Sequence, residues 1–163
     1  SEEAVEEAIK YINAHPEQEG IYITDCHPAN HSSFVEFGGI WPPHCVEGTR
    51  GGAIHESFYT KVENPANRPD PNRNIFRKGC KQDEEQYSGY EAVNSNGVAL
   101  KDYANKDVVV SGIATEYCVY NTVNEFLKSG RNVELLHDAL GYVDYEGHKK
   151  TIKDLRKMVT VVE

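Results

Sequence analysis

The sequence lacks several features that would assign it to particular classes of protein. No apolar segment among its 163 residues approaches the length of roughly 18 residues that a membrane-spanning helix needs. Basic side chains are in the minority, with 17 Lys and Arg against 26 Asp and Glu. Because phosphate binding draws on clustered Lys and Arg, the formal charge of -9 argues against nucleic acid as the main partner. We expect a small-molecule substrate, with neither a membrane nor a nucleic acid as partner.

The N-terminal segment has little resemblance to a secretory signal. SEEAVEEAIKYI is acidic and helical in pattern, whereas a signal peptide is basic and then apolar. We therefore expect a cytoplasmic protein. A chain of this size can bury a hydrophobic core without disulfides, so residues 1–163 are expected to form a single domain.

Cysteine is scarce, and the four residues of this type are Cys26, Cys45, Cys80 and Cys118. They could pair in principle. Their neighbours, which include two histidines, a lysine and the end of an apolar strand, instead indicate thiols with separate roles. The alternative is that most of them are ordinary buried thiols.

Hydrophobic periodicity predicts alternating helices and strands. Helical patterns cover residues 2–13, 117–129 and 147–157, and strand patterns cover residues 21–24, 108–111, 133–136 and 158–162. The first three strands are apolar at consecutive positions, which is typical of parallel strands covered on both faces. The predicted class is therefore α/β, a three-layer α/β/α arrangement with a mainly parallel sheet. Residues 44–74, rich in Gly, Pro and Asn, are expected to form a long loop region near the site.

A candidate metal site follows the strand at residues 21–24. Asp25 and His27 are two positions apart at its carboxyl end, where open α/β sheets carry their ligand sites, and His44 follows in WPPHC. An Asp-x-His pair with a distant His can hold a catalytic metal and leave positions open for water or substrate. A capping aspartate and a surface histidine would give the same pattern. Three nearby residues could add a further ligand or an outer partner: His31, Ser33 and Glu36.

A candidate nucleophile lies in GIATEYCVYNT, where a strand ends and a helix begins. At a helix N-terminus the dipole and the unpaired N–H groups would lower the pKa of Cys118 and could hold an oxyanion. Lys78, in IFRKGC, is a candidate for the charge that steadies the thiolate. A buried structural cysteine and a surface lysine are the alternatives.

Four blocks of sequence, in this order, resemble the metal-dependent nicotinamidases of the isochorismatase-like cysteine hydrolases: TDCHPANHSSF, WPPHC, RKGCKQDEEQYSGYE and GIATEYCV. The resemblance implies an amidase that converts nicotinamide to nicotinic acid and ammonia in NAD salvage. Cys118 would attack the carboxamide carbon and form a thioester, while Lys78 stabilises the thiolate. Asp25, His27 and His44 would hold a divalent metal, commonly zinc, with manganese and iron as alternatives.

The resemblance also implies details around the nucleophile. The bond Ile113–Ala114 would be cis and would aim the N–H groups of Ala114 and Cys118 at the oxyanion. The substrate pocket would be lined by Cys26, Trp41 and Tyr87. An acidic surface and aromatic residues expected to be exposed, such as Tyr120 and Tyr145, are compatible with a homo-oligomer.

Three departures from the family pattern stand out. Cys26 replaces the usual Trp or Phe between the first two metal ligands, and Glu116 replaces the more common Asp. The catalytic aspartate of the family ends a first strand, in a segment like VVDVQNDF, and no such segment is present. We therefore expect the sequence to be N-terminally incomplete, so that Cys118 lacks its general base and the sheet lacks a central strand.

Three other functions are compatible with these residues. Cys26 in the pocket is compatible with a related hydrolase that acts on a different small amide. The absent aspartate is compatible with a metal-binding homologue without catalytic turnover. A thiol-based redox sensor would use Cys26 and Cys45 beside the metal.

Overall fold

The computed structural model describes residues 2–49, 52–84 and 86–163. The helices of this part are α1 (Glu2–Ala14), α2 (Ser57–Thr60), α3 (Leu100–Tyr103), α4 (Tyr120–Lys128) and α5 (Tyr145–Leu155). The strands are β1 (Tyr22–Asp25), β2 (Ile75–Lys78), β3 (Asp107–Gly112), β4 (Asn132–Leu140) and β5 (Thr160–Val162). The alternating α/β class predicted from the sequence is confirmed, with boundaries that differ by a few residues.

Every paired strand is parallel, as predicted, but the described strands form two sheets instead of one. β1 pairs with β2, and β3, β4 and β5 form a second sheet in that order. β1 and β3 are therefore both edge strands. The prediction that they are fully buried is wrong, because most of their residues are only partly covered.

A groove of about 770 Å³ runs between α1, the chain leading into β1, and β3. Its walls include Ile12, Ile21, Val108 and Val109. The open edges of β1 and β3 explain why these apolar residues stay half exposed. Neither Asp25 nor Cys118 lines this groove.

β4 carries the core on both of its faces. Its side chains alternate in direction, as in any strand. Leu135 packs in the main core with Phe126 of α4 and Leu155 of α5. Its neighbour Leu136 packs on the opposite side with Ala8 of α1. Helices therefore cover both faces of this sheet, which is the expected three-layer arrangement.

The start of α5 is fixed by two carboxylates. Asp144 caps the helix by accepting a hydrogen bond from the N–H of Gly147 at 2.8 Å. The Glu116 carboxylate accepts hydrogen bonds from the N–H groups of Val143 and Asp144. Glu116 therefore anchors the segment between β4 and α5, and its longer side chain serves a structural contact here.

Residues 44–49 and 52–74 are largely irregular, as predicted, and they include α2 and a 3₁₀ turn at Pro65–Asn67. Side-chain amides hold this segment to the rest of the chain. Asn67 accepts from the N–H of Gly20, and the buried amide of Asn74 donates to the carbonyls of Gly20 and Arg68. β2 begins directly after Asn74 and was not predicted, since it is four residues long and only the first two, Ile75 and Phe76, are apolar.

Among the described helices, none has the length and apolar content required to cross a membrane.

Truncation of Leu155 tests the main core. Leu155 is fully buried in α5, so Leu155→Ala should lower the free energy of unfolding by about 2–5 kcal/mol through lost contacts and a cavity. Urea denaturation followed by circular dichroism measures this change. Lys153→Ala, on the exposed side of the same helix, is the matched control and should alter stability by less than about 0.5 kcal/mol. Equal effects of the two substitutions would contradict this description of the core.

Candidate active site

The candidate site forms where the carboxyl ends of neighbouring strands meet. Asp25 is the last residue of β1, Lys78 is the last residue of β2, and the two are paired in register. Cys118 follows β3 after a short connection. The site therefore takes one group from each of three chain segments that are far apart in sequence.

Lys78 links the other two groups. Its ammonium donates to Oδ1 of Asp25 at 2.5 Å, to Sγ of Cys118 at 3.3 Å and to the carbonyl of Gln86 at 3.1 Å. Lys78 is only 5% exposed. Burial by itself lowers the pKa of Lys78, but the opposite charges of Cys118 and Asp25 outweigh burial and leave that pKa raised. The ammonium therefore remains a fixed positive charge beside the sulfur.

Cys118 lies in a π-helical turn, Thr115–Val119, that leads into α4. The sequence predicted a lowered pKa for its thiol, and the structure contradicts this. Burial raises the pKa of Cys118 and outweighs the lowering by Lys78 and by the backbone N–H of Ala114. The thiol therefore requires a proton acceptor before it can act as a nucleophile at neutral pH.

The backbone next to the thiol has a special geometry. The Ile113–Ala114 peptide bond is cis. The N–H of Ala114 is close enough to Cys118 to favour its thiolate. Thr115, the next residue, is completely buried, and both its N–H and its hydroxyl donate to the carbonyl of Gly141. This turn is thus tied to the end of β4, which fixes the direction of the Ala114 N–H.

His27 is oriented as a metal ligand would be. Its Nδ1 lies 2.8 Å from the carbonyl of Gly79, which can only accept, so Nδ1 carries the proton and Nε2 keeps a lone pair in the neutral ring. Burial lowers the pKa of His27 and so favours the neutral ring. Nε2 lies 3.9 Å from Oδ2 of Asp25. Two ligands that each bind zinc at about 2 Å can span such a distance.

His44 adds a third donor of the same kind. Its ring lies 4.9 Å from the ring of His27, and its Nδ1 is held by the carbonyl of Pro42 at 2.9 Å. As the side chains stand, no group of three or more His, Cys, Asp or Glu in residues 2–49, 52–84 and 86–163 could hold a metal ion. Oδ1 of Asp25 is engaged by Lys78 instead. The donor chemistry of Asp25, His27 and His44 nevertheless fits a divalent cation such as zinc.

His31 and Ser33 lie behind His27. The buried ring of His31 packs against that of His27, with the ring centroids 4.0 Å apart and the planes tilted by 32°. Its Nε2 faces the carbonyl of Glu84 at 2.7 Å, and its Nδ1 accepts from the N–H of Ser33. Both nitrogens of His31 are therefore used within the protein, so His31 positions His27 in this arrangement and does not present a free lone pair.

Glu36 is not brought into the site. It is exposed in the 3₁₀ turn Val35–Phe37, and among the described residues it makes no hydrogen bond or ion pair with Asp25, His27 or His44.

Aromatic side chains form one wall beside Cys118. Trp41 donates from Nε1 to the hydroxyl of Tyr87 at 3.0 Å, which brings two of the predicted pocket residues together. The ring of Tyr117 meets Trp41 edge-on at 5.0 Å and lies 5.5 Å from Tyr87. Tyr117 was not singled out from the sequence, although its position next to Cys118 is a usable signal. The three rings form a contiguous aromatic cluster in which the planes of Trp41 and Tyr117 are nearly perpendicular.

Cys26 is not the separate thiol that the sequence predicted. The sequence suggested separate thiols, with Cys26 as a wall of the pocket, whereas the structure joins Cys26 to Cys80 in a disulfide. The redox alternative used Cys26 and Cys45 beside the metal; Cys45 is a free cysteine in the structure, as is Cys118. The two bonded residues are 54 positions apart, and strand pairing between β1 and β2 brings them together.

The segment after β2 supports the site in a way that the sequence did not reveal. Gly79 has φ +66°, and a Cβ there would lie 2.5 Å from Cε1 of His27. Gly79 is therefore required by close approach to the histidine ring. Gln86 accepts from Lys78 with its carbonyl and from the N–H of Gly79 with its side chain. A glycine directly after the candidate lysine was the available signal.

Comparisons with known proteins find relatives over most of the chain. The isochorismatase domain family matches residues 85–163. The nicotinamidase/pyrazinamidase of Mycobacterium tuberculosis is 30% identical over 134 residues, which cover 79% of this chain and 66% of that protein. The nicotinamidase of Escherichia coli is 29% identical, over 70% of this chain and 59% of that protein. The chain thus spans about two thirds or less of the length of these relatives.

Solved structures extend the similarity over nearly the whole chain. The pyrazinamidase of Pyrococcus horikoshii in complex with zinc is 31% identical, with a TM-score of 0.81 over 99% of this chain and 86% of that chain. The nicotinate complex of a protein from L. infantum is also 31% identical, with a TM-score of 0.74 over 97% of this chain and 80% of that chain.

The titration of Cys118 can be measured by alkylation. We expect the rate of its reaction with iodoacetamide to rise over a higher pH range than for a free cysteine, because burial raises its pKa. Lys78→Met should move this range higher still, since it removes the positive charge that lowers the pKa. Peptide mass mapping follows the labelling of Cys118 as a function of pH.

Lys81→Met, at an exposed lysine three positions further on, is the control and should leave the profile unchanged. A Lys78→Met profile identical to that of the unmodified protein would contradict the proximity of the two groups.

Proposed function

The chain belongs to the isochorismatase-like family of hydrolases, and from this premise we propose that it is a nicotinamidase that hydrolyses nicotinamide to nicotinic acid and ammonia. The observation that carries the proposal is the contact between Cys118 and the buried ammonium of Lys78. A thiol beside a fixed positive charge can supply the nucleophile of an amidase. The similarity to relatives that are named nicotinamidases supports the choice of substrate.

Cys118 would attack the carboxamide carbon, and the tetrahedral oxyanion would receive hydrogen bonds from the N–H groups of Ala114 and Cys118. Collapse of this intermediate would release ammonia and leave a thioester on Cys118, which water would then hydrolyse to the carboxylic acid. Lys78 would stabilise the thiolate at the start and at the end of the cycle.

The proton of Cys118 needs an acceptor, because burial raises its pKa. Asp25 contacts Lys78 and holds the ammonium toward the sulfur. We expect the base itself to be an aspartate at the end of a further strand outside the 163 residues. The open edges of β1 and β3, and the groove beside β3, support such a strand.

Asp25, His27 and His44 would hold a divalent cation, with zinc as the first candidate and manganese and iron as alternatives. Gly79 and Pro42 favour the neutral tautomers that leave Nε2 of both histidines available. When bound, the cation would supply a Lewis-acid contact for the ring nitrogen of the substrate. Trp41, Tyr87 and Tyr117 would pack against the substrate ring.

The proposed reaction belongs to NAD salvage, and we expect it to take place in the cytoplasm. Exposed aromatic side chains such as Tyr142 and Tyr145 are compatible with a homo-oligomer.

The nucleophile is tested by ammonia release from nicotinamide. The purified protein that includes the proposed further strand, loaded with zinc or manganese, should release ammonia, and Cys118→Ala should reduce the rate at least about 10³-fold because no thioester can form. Zinc content and melting temperature of the variant serve as controls for folding. Activity that survives this substitution would indicate a metal-bound hydroxide as the nucleophile. Release from pyrazinamide but not from nicotinamide would favour a related small-amide hydrolase.

The metal site is tested without turnover. His44→Ala should weaken zinc binding at least about tenfold, since it removes one of three proposed ligands. Competition with a coloured zinc chelator measures the affinity. His137→Ala, a histidine of β4 that contacts Asp138, is the matched control and should bind zinc as the unmodified protein does. Unchanged affinity of the His44 variant would exclude His44 as a ligand.

A further inference from the structure

We propose that the Cys26–Cys80 disulfide is a thiol–disulfide exchange site that takes small thiols and controls how firmly the loops around His27 and Lys78 are held. The proposal rests on the proposed function only for its effect on turnover. Its structural part concerns the order of the site and its affinity for a cation.

The disulfide lies directly between the chemical groups of the site. Cys26 separates Asp25 from His27, and Cys80 follows Lys78 by two positions. The N–H of Cys26 donates to the carbonyl of Lys78 at 2.9 Å, which continues the pairing of β1 with β2 by one residue. The Cα atoms of Cys26 and Cys80 are 4.8 Å apart, within the normal range for a disulfide. The bond therefore fastens β1 to the loop that follows β2.

Residues 79–84, the segment that this bond holds, contact both His27 and His31. Besides the Gly79 carbonyl at His27, the carbonyl of Glu84 meets His31 at 2.7 Å, and the carbonyl of Gln82 accepts from the N–H of Ser32 at 2.7 Å. The segment itself has little packing of its own, since residues 80–84 are all exposed. Without the disulfide, hydrogen bonds such as these, together with the one from Nε2 of Gln82 to the carbonyl of Asn30, would keep the segment against the histidines.

The two sulfurs differ in access. Cys26 is 7% exposed, whereas Cys80 is on the surface. A thiolate from solvent can therefore approach Cys80 more readily than Cys26. Exposed disulfides are the ones that exchange with thiols, whereas buried structural disulfides resist reduction.

The exchange would take place in two steps. A small thiolate, RS⁻, attacks Sγ of Cys80 and forms a mixed disulfide, and Cys26 leaves as a thiolate that takes up a proton. A second RS⁻ attacks the sulfur of the bound RS group, so that RSSR forms and Cys80 leaves and is protonated. Two electrons and two protons pass from two RSH to the protein, and an oxidised thiol such as RSSR reverses both steps.

Reduction would loosen residues 79–84 from His27 and His31. The Gly79 carbonyl would then no longer fix the Nδ1 proton of His27, so the orientation of Nε2 toward Asp25 would be lost for part of the time. Loss of such a partner behind a metal ligand typically weakens metal binding by about 10–100-fold. We expect the oxidised protein to be the form that binds a cation more tightly, and reoxidation to restore the affinity.

The first measurement counts thiols. Alkylation of the unfolded, unreduced protein followed by mass spectrometry should label the two free cysteines, Cys45 and Cys118, and prior reduction with a phosphine should raise the number to four. Four labelled cysteines without reduction, in protein equilibrated with oxidised glutathione, would overturn the proposal.

The second measurement compares oxidised protein, phosphine-reduced protein and the Cys26→Ser/Cys80→Ser variant after removal of the reductant. Amide hydrogen exchange at residues 79–84 and at Ser32 should be faster in the last two than in the oxidised protein. Zinc affinity of the double variant, from chelator competition, should be at least about tenfold lower than that of the oxidised protein. The variant separates the effect of the missing bond from zinc binding by the freed thiols. Equal exchange and equal affinity in all three would overturn the proposal.

Cys45→Ser is the matched control. This substitution removes a free thiol and keeps the disulfide. The amide hydrogen exchange and the zinc affinity of the variant should therefore still respond to reduction. The melting temperature is not diagnostic, because loss of any crosslink lowers it. None of these measurements requires hydrolysis of nicotinamide. A protein without nicotinamidase activity would therefore not contradict the proposal about the disulfide, and a disulfide without effect would not contradict the proposed activity.

Discussion

The candidate site depends on one interaction, the ammonium of Lys78 held between the carboxylate of Asp25 and the sulfur of Cys118. A buried lysine is costly unless opposite charges compensate for the lost hydration. Asp25 supplies that compensation, and the pairing of β1 with β2 brings its carboxylate beside the lysine. The parallel pairing of two short strands is therefore also the device that assembles the charges.

The same constraint explains the crowded surroundings of His27. With Asp25 and Lys78 adjacent at the ends of β1 and β2, the next residues of both strands are forced together. Gly79 approaches the His27 ring so closely that no side chain fits, and its carbonyl determines which nitrogen carries the proton. The Cys26–Cys80 disulfide arises from the same proximity. Charge pairing, tautomer and crosslink are consequently three results of one strand register.

Burial of Cys118 keeps its side chain protonated, which limits its reactivity as a nucleophile. A helix terminus and a nearby cation both favour the thiolate, yet the low polarity around the sulfur outweighs them and raises the pKa. In the proposed reaction, a nucleophile stored as the thiol would need a base for each turnover. The open edges of β1 and β3 are where we propose that the strand carrying this base pairs.

The sequence by itself determined the alternation of helices and strands, the candidate ligands Asp25, His27 and His44, and Cys118 at a strand-to-helix junction, because these signals are local. Only the tertiary structure decided what depends on distant segments. β2 is too short to be recognised without β1 beside it, so the partner of Lys78 was not evident. The disulfide joins residues 54 positions apart, and the pKa of Cys118 depends on how much protein surrounds its sulfur. Burial and non-local pairing are properties of the folded chain, and no local pattern of residues encodes them.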